Sequence, residues 1–286
     1  MGAESTRRGL AGARRGSARE GGTGWPAPLG ALAVVLLLVS ACAPSRFVAP
    51  TQPGAPSDRF VDIHRQVSSA CRGVRSFTAE LGLAGRVGTE RVRGRVVAGF
   101  EQPASMRLEG LAPFGAPGFI LAATAADAVL LLPRDRAVVR GPSAAELLEA
   151  LTGVDLDAAR LQALLSGCVS PAPTAVRGER FSDDLESLTL ADGAVLYVRR
   201  RNGAWRLEAA RVDRWSVEYP AWQATFPQSV RLTTIGAGPP VDLTATLAQV
   251  EANIDIDDAA FRVVVPEGTR AISLADLRAS GPLRGQ

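Results

Sequence analysis

From Phe77 onward the chain alternates with a period of two. Phe77, Ala79, Leu81 and Leu83 interleave with Thr78, Glu80 and Gly82, which puts apolar side chains on one face of a strand and polar ones on the other. Strand-like segments follow at Val92–Phe100, Ser105–Leu111, Phe119–Thr124, Ala128–Leu132 and Ala137–Arg140. Gly, Pro and Asp separate them at the short spacing of an antiparallel meander. The alternation then stops. Ser143–Leu151, with Ser143 as N-cap, and Asp155–Leu165 read as two short helices, strongly apolar through Leu147, Leu148, Leu151, Leu156, Leu161, Leu164 and Leu165. Alternation resumes at Ser187–Leu190, Val195–Arg200, Trp205–Val212, Trp215–Tyr219, Ser229–Ile235, Val241–Val250 and Val263–Val265, with Asp192-Gly193 and Asn202-Gly203 as hairpin turns. Ten or eleven strands twist and curl on themselves. The helices in mid-chain must cover something apolar, and an interior not filled by side chains is a ligand cavity.

Ahead of the sheet, Phe60, Ile63, Val67, Ala70, Cys71 and Val74 recur at spacings of three and four, giving one apolar helical face through about Arg75. Ser57-Asp58 would cap this helix, just after Pro56. His64 falls beside the apolar face and is expected at the surface or its rim. Ser273–Ser280 reads as a short C-terminal helix with Asp276 near its start.

The N-terminus carries export signals. Arg-rich residues 1–20 precede an apolar run, Leu29 to Val39, that falls well short of the ~20 residues needed to span a bilayer. It fits the h-region of a signal peptide. Val39-Ser40-Ala41-Cys42 resembles a bacterial lipobox, in which cleavage precedes the cysteine and the Cys42 thiol accepts diacylglycerol, with palmitate as a typical further acyl group. Ala43, where an inner-membrane retention signal would have Asp, implies the outer membrane. Pro44, Pro50, Pro53 and Pro56 make the next stretch an extended tether, at roughly 3.1 Å per residue able to hold the domain up to about 45 Å from the membrane. The expected organisation is a signal peptide over 1–41, the lipidated Cys and Pro-rich tether over 42–56, and one folded domain over 57–286.

Charge and composition exclude several functions. The basic residues are all Arg. Residues 1–41 hold five of the 32 basic residues and two of the 29 acids, so the remainder carries 27 of each. A nucleic-acid-binding domain is expected to carry a surplus of cations. A single His leaves no Ser-His or Cys-His nucleophile beyond His64, whose neighbours are Asp62 and Arg65. Cys71 and Cys168 lack zinc-ligand spacing. Asp183-Asp184 and Asp255/Asp257/Asp258 read as solvated charge or caps. No catalytic residue, metal or cofactor is expected. In an oxidising periplasm, Cys71 and Cys168 either form a disulfide or stay as separately buried thiols.

The order helix, meander, two helices, meander resembles the LolA/LolB-type lipoprotein-carrier superfamily, which includes an outer-membrane lipoprotein receptor and a soluble periplasmic carrier. The densest match is "MRLEGLAPFGAPGFILAAT" followed by "SAAELLEALTGVDLDAARLQALLSG", which resembles the family's lid helices. "FRVVVPEGTRAISLADL" resembles its ending. The resemblance covers roughly Ser57 to Leu277. It implies a mainly β fold with α (α+β), an unclosed antiparallel β-barrel of about 11 strands with a helical lid, which binds acyl chains. It also implies a protruding apolar loop that delivers cargo into the membrane, here Pro113, Phe114 and Gly115.

The expected protein is a monomeric chaperone of protein transport, not an enzyme, anchored by its lipid in the outer membrane and facing the periplasm. Its partners would be acyl chains of lipoproteins or lipids, and a periplasmic LolA-like carrier. Candidate lid residues are Leu147, Leu148, Leu151, Leu161 and Leu164. Candidate wall residues are Leu81, Leu83, Val97, Leu108 and Ile120, though a period of two shows which positions share a face, not which face is inside. The alternative is a structural or sensory envelope lipoprotein whose barrel is filled by its own side chains and which binds a protein partner.

Overall fold

The structure is a computed structural model that describes residues 46–112, 116–141, 143–169, 174–237 and 239–280. The first half contains β1 (Ala55–Pro56), α1 (Phe60–Arg72), β2 (Ser76–Val87), β3 (Glu90–Glu101), β4 (Ser105–Leu111), β5 (Phe119–Ala123), β6 (Ala128–Leu132) and β7 (Ala137–Gly141). Two helices follow, α2 (Ala144–Thr152) and α3 (Ala158–Ser166). The second half contains β8 (Ala175–Arg180), β9 (Leu185–Leu190), β10 (Val195–Arg201), β11 (Ala204–Val212), β12 (Trp215–Gln223), β13 (Phe226–Thr234) and β14 (Val241–Ala252). A 3-10 turn (Asp258–Phe261), β15 (Arg270–Ala271) and α4 (Leu274–Ser280) complete it.

All fifteen strands join one unclosed sheet in the order β1-β8-β9-β10-β11-β12-β13-β14-β2-β3-β4-β5-β6-β7-β15. This exceeds the eleven or so expected. Two of the additions, β1 and β15, are two-residue pairings at the sheet edges. Ala175–Arg180 escaped notice because its Arg177-Gly178-Glu179 core has no apolar alternation. Val263–Val265, expected as a strand, has no ladder. Val263 and Val265, like Ile120, instead pack against the cluster of Val129, Leu131 and Val138 on the outer face of the sheet.

Register explains the core. Leu81 pairs with Val96, Ala98 with Leu108, Leu108 with Leu121, and Leu121 with Leu130. Each row of cross-strand partners therefore presents one apolar line to the same side. One cluster of buried residues draws on both meanders, from Phe77 and Leu130 to Leu188 and Val217. Joining them requires the sheet to wrap around a shared interior. Bulges at Tyr197/Val198, Glu218/Ala221 and Ala248/Glu251 supply local bends.

The chain leaves the sheet at β7, near one edge, and re-enters at β8, near the other. The connection must cross the sheet, and it does so as α2 and α3. Contacts of α2 are with β5, β6 and β7; those of α3 are with β3, β4 and β13. Ser143 caps α2 by accepting from the Glu146 N–H, and Asp157 caps α3 from the Arg160 N–H. Ser57 does not cap α1, whose N-cap is Arg59. Its hydroxyl is bound elsewhere, as described below.

Candidate functional site

The interior is built where the helical crossover meets the sheet. Leu147, Leu148, Leu151 and Leu164 are all buried, and Leu161 packs partly buried against the same cluster. Leu81 and Leu108 are buried wall residues, and Leu83 is partly buried beside them. The structure brings these eight candidates together. It does not include the other two. Val97 is 42% exposed and pairs with Glu80 and Glu109 on the outer face. Ile120 belongs to the outer cluster with Val129 and Leu131. Both have the opposite strand parity to Val96 and Leu121, so the pleat turns them outward. Cys42, Pro113, Phe114 and Gly115 lie outside the described residues.

Both crossover helices end on left-handed glycines that touch the wall. A Cβ on Gly153 (φ 77°) would lie 2.7 Å from Val87 Cγ1. On Gly167 (φ 86°) it would lie 2.5 Å from the Trp222 ring. Only glycine combines that backbone conformation with that approach. The start of α2 is fitted just as closely, since a Cβ on Gly141 would lie 2.6 Å from Leu147 Cγ.

Polar groups fix α3 more firmly than α2. The Tyr219 hydroxyl donates to Leu164 O at 3.1 Å, and Gln162 Nε2 donates to Arg75 O at 3.2 Å. Burial pushes the Tyr219 phenol well up, so the hydroxyl remains a donor. Cys71, in the last turn of α1, and Cys168, just beyond α3, form a disulfide with Cα atoms 5.5 Å apart. By contrast, α2 is tied to α4 through an exposed pair, Arg278 to Glu149 at 3.0 Å.

Two recesses adjoin the crossover. One of about 470 Å³ lies between the β2–β3 turn, the end of α2, Arg214 and Arg278. The other, about 390 Å³, lies beside the disulfide, against Gln102, Pro103 and Gln162. No group of three or more His, Cys, Asp or Glu is arranged to hold a metal ion among the described residues. No helix among them is long and apolar enough to cross a membrane.

His64 is buried at 7% exposure rather than at the surface. The helix turns its ring toward Arg72, with Arg72 Nη2 3.3 Å from His64 Nδ1. Burial first, and the Arg72 charge second, push its pKa down.

Residues 46–56, expected as a free tether, are docked. The Phe47 ring packs on Tyr197 with centroids 5.0 Å apart, and its N–H donates to Glu218 Oε2. Ala55 and Pro56 pair with Arg180 and Glu179 of β8. The segment ends in a clamp around Glu186, which is 0% exposed. Glu186 accepts from Ser57 Oγ and Arg59 Nη2, both at 2.6 Å. The reading of composition missed this strap, because Pro-rich sequence has the same extended geometry whether free or docked. Glu186 left a signal: it shares strand parity with buried Leu188 and Leu190, and a carboxylate there requires a partner.

The class is thus a single unclosed sheet, antiparallel except for the short β15–β7 pairing, wrapped around a leucine-rich helical crossover. No protein-family model matches the sequence, and no curated protein matches it. Solved structures similar to it include a LolA superfamily protein from Nitrosomonas europaea (TM-score 0.47, 13% identity, 73% of this chain and 98% of that one). Another is a DUF1329 family protein from Desulfovibrio piger (TM-score 0.47, 12% identity, 73% and 98%). A third, from Vibrio parahaemolyticus, is a domain whose name refers to outer-membrane lipoprotein sorting (TM-score 0.44, 12% identity, 71% and 96%).

Proposed function

We propose that this protein is a lipid-anchored envelope protein that takes acyl chains of lipoproteins or lipids beneath α2 and α3 and helps insert them into the outer membrane. In this reading Cys42 carries the anchor, α2 and α3 form the lid, Phe114 enters the membrane, and a LolA-like carrier supplies the cargo. One observation carries it: a leucine-rich crossover, joining a strand near one edge of the sheet to a strand near the other, packs against the sheet's apolar inner face. Such an arrangement exposes acyl-compatible surface on both lid and wall when the two part. No covalent step is required, because transfer needs only a gradient of affinity for the chain.

The second reading, a filled barrel that binds a protein partner, draws on the full burial of Leu147 and its neighbours. Native mass spectrometry separates the two. Protein purified gently from a bacterial envelope should carry phospholipid or acylated peptide, and Leu148→Glu with Leu161→Glu should abolish that adduct. A bare mass that is unchanged after acyl lipid is added refutes the carrier reading and favours the filled barrel.

A further inference from the structure

The docked strap holds the residues that follow Cys42 in sequence against one face of the sheet. Arg46 lies close enough to Asp242 of β14 to lower that carboxyl's pKa, after the larger effect of Arg231. Phe47 lies over β10 and β12. Ala55 reaches β8. The strap therefore runs across the outer face of the sheet from β12, where Phe47 is bonded, to β8, with Arg46 within electrostatic reach of Asp242 on β14. Four peptide units separate Cys42 from Arg46, a reach of at most about 14 Å. Wherever an acylated Cys42 enters a bilayer, the outer face around β14 is close to its surface.

The strands beside β14 on that face are basic. Asp242 pairs in register with Arg86 of β2. Arg86 in turn lies directly opposite Arg91 of β3, and Arg93 and Arg95 follow on the same face. All four arginines are exposed. Arg95 pairs with Glu80 at 3.2 Å. Arg86, Arg91 and Arg93 have no ion-pair partner among the described residues. Some arginines elsewhere on the outer face are ion-paired, Arg199 with Asp184 and Glu208, and Arg231 with Glu218 and Asp242, whereas Arg211 instead lies over the Tyr197 ring. Like charges placed directly opposite each other across strands destabilise a sheet. A domain with equal numbers of acids and bases has nonetheless concentrated them beside its anchor.

We propose that the outer face of the β2–β3 hairpin, through Arg86, Arg91 and Arg93, binds the anionic headgroups of the membrane that holds the protein. The orientation rests on acylation of Cys42 as proposed above; the affinity of the face does not. Docked this way, the domain lies flat against the lipid instead of standing off on a long tether. Each arginine near an anionic surface contributes enough that losing three lowers vesicle partitioning about a hundredfold at low salt. The attraction falls as salt shortens the Debye length.

The test uses the full acylated protein on vesicles of phosphatidylcholine alone or with 30% phosphatidylglycerol (roughly the anionic content that sets a strong surface potential). Phenylglyoxal modification, read by peptide mass, should slow severalfold at Arg86, Arg91 and Arg93 on the anionic vesicles. Arg65, Arg140 and Arg177, exposed elsewhere, should be unaffected. Equal rates on both vesicles, or equal protection of the control arginines, overturn the proposal. The intact mass reports diacylglycerol on Cys42 separately; its absence refutes the anchor. In either case, a full chain with Cys42→Ser should co-sediment with the anionic vesicles at low salt. That binding should be lost in R86Q/R91Q/R93Q and kept in R65Q/R140Q/R177Q, which has the same net charge. Failure to bind, or equal loss in both triples, overturns the headgroup site whatever the state of Cys42.

Discussion

The seat of α2 on β7 can be tested as a lock and key of two residues. Leu147 is fully buried, and Gly141 has no side chain where the Leu147 isobutyl group sits. Leu147→Ala removes three carbons from a closed core and should cost about 3 kcal/mol. Gly141→Ala is allowed by its backbone, but the new Cβ would lie 2.6 to 3.1 Å from Leu147 Cγ and both Cδ atoms. Lifting the leucine or α2 to relieve that should cost about 1 to 2 kcal/mol. In the double variant the new methyl occupies space vacated by the leucine, so the clash vanishes and the cavity shrinks. The double variant should then be more stable than the sum of the singles by at least ~1 kcal/mol, a coupling reserved for residues in contact. Urea unfolding followed through Trp205, Trp215 and Trp222 measures all four corners. At ~2 to 4 °C per kcal/mol for a domain of this size, Leu147→Ala alone should lower Tm by about 6 to 12 °C. Additive effects, or a neutral Gly141→Ala, would refute the seat of α2 on β7 as described.

Reducing Cys71–Cys168 removes a cross-link between residues 97 apart, which the chain-entropy argument values at about 4 to 5 kcal/mol. Melting with and without reductant should differ by ten degrees or more, and a Cys71→Ser/Cys168→Ser chain should match the reduced protein. His64 sets a pH dependence. Its folded pKa lies below the ordinary value of 6.5, so the unfolded chain binds the extra proton first. Stability should be full above about pH 7 and fall as pH drops through 6.5 toward the folded value. His64→Gln should flatten the urea midpoint between pH 7 and 5, and an unchanged slope would contradict this. Arg59→Ala leaves the buried Glu186 with only its Ser57 bond, and should cost about 1.5 to 3 kcal/mol. A gain of proteolytic cleavage within residues 46–57 would show that the strap is released.

The strands of both meanders, the two crossover helices and the Ser143 cap are legible because each depends on local period and local hydrogen bonding. Asn202-Gly203 shows this well: both residues take positive φ, 51° and 82°, as the hairpin turn demands. Face and neighbour are different matters. Val97 and Val96 are identical in type and adjacent in sequence, and only the register against Leu81 decides which faces inward. The docking of Phe47 on Tyr197 joins residues 150 apart, with nothing periodic to announce it. His64 sits at the edge of its apolar stripe, and only the packing around α1 buries it. The arginine strip has no motif in the sequence; it takes shape only through the β2–β3 register and the β14–β2 pairing, which joins early and late strands of the chain.

The full interior and the carrier reading are compatible on energetic grounds. Burial of Leu147, Leu148, Leu151, Leu164 and Leu165 contributes about 10 kcal/mol at about 2 kcal/mol each. A palmitoyl chain of about fifteen carbons recovers about 12 kcal/mol at ~0.8 per methylene. Exchange of one for the other is therefore close to balanced, as reversible carriage requires. The helices are unequally free to take part. Cys168, Tyr219 and Gln162 hold α3, whereas α2 is tied to α4 through the exposed Arg278–Glu149 pair. In the proposed reading α2 is the part that opens. Arg278→Glu places like charges between α2 and α4, and should speed uptake of a fluorescent fatty acid several-fold with little change in Tm. Breaking the disulfide should leave the uptake rate nearly unchanged at temperatures well below melting. If the disulfide controlled uptake and Arg278 did not, the moving element would be α3, and the order of opening argued from these bonds would be wrong.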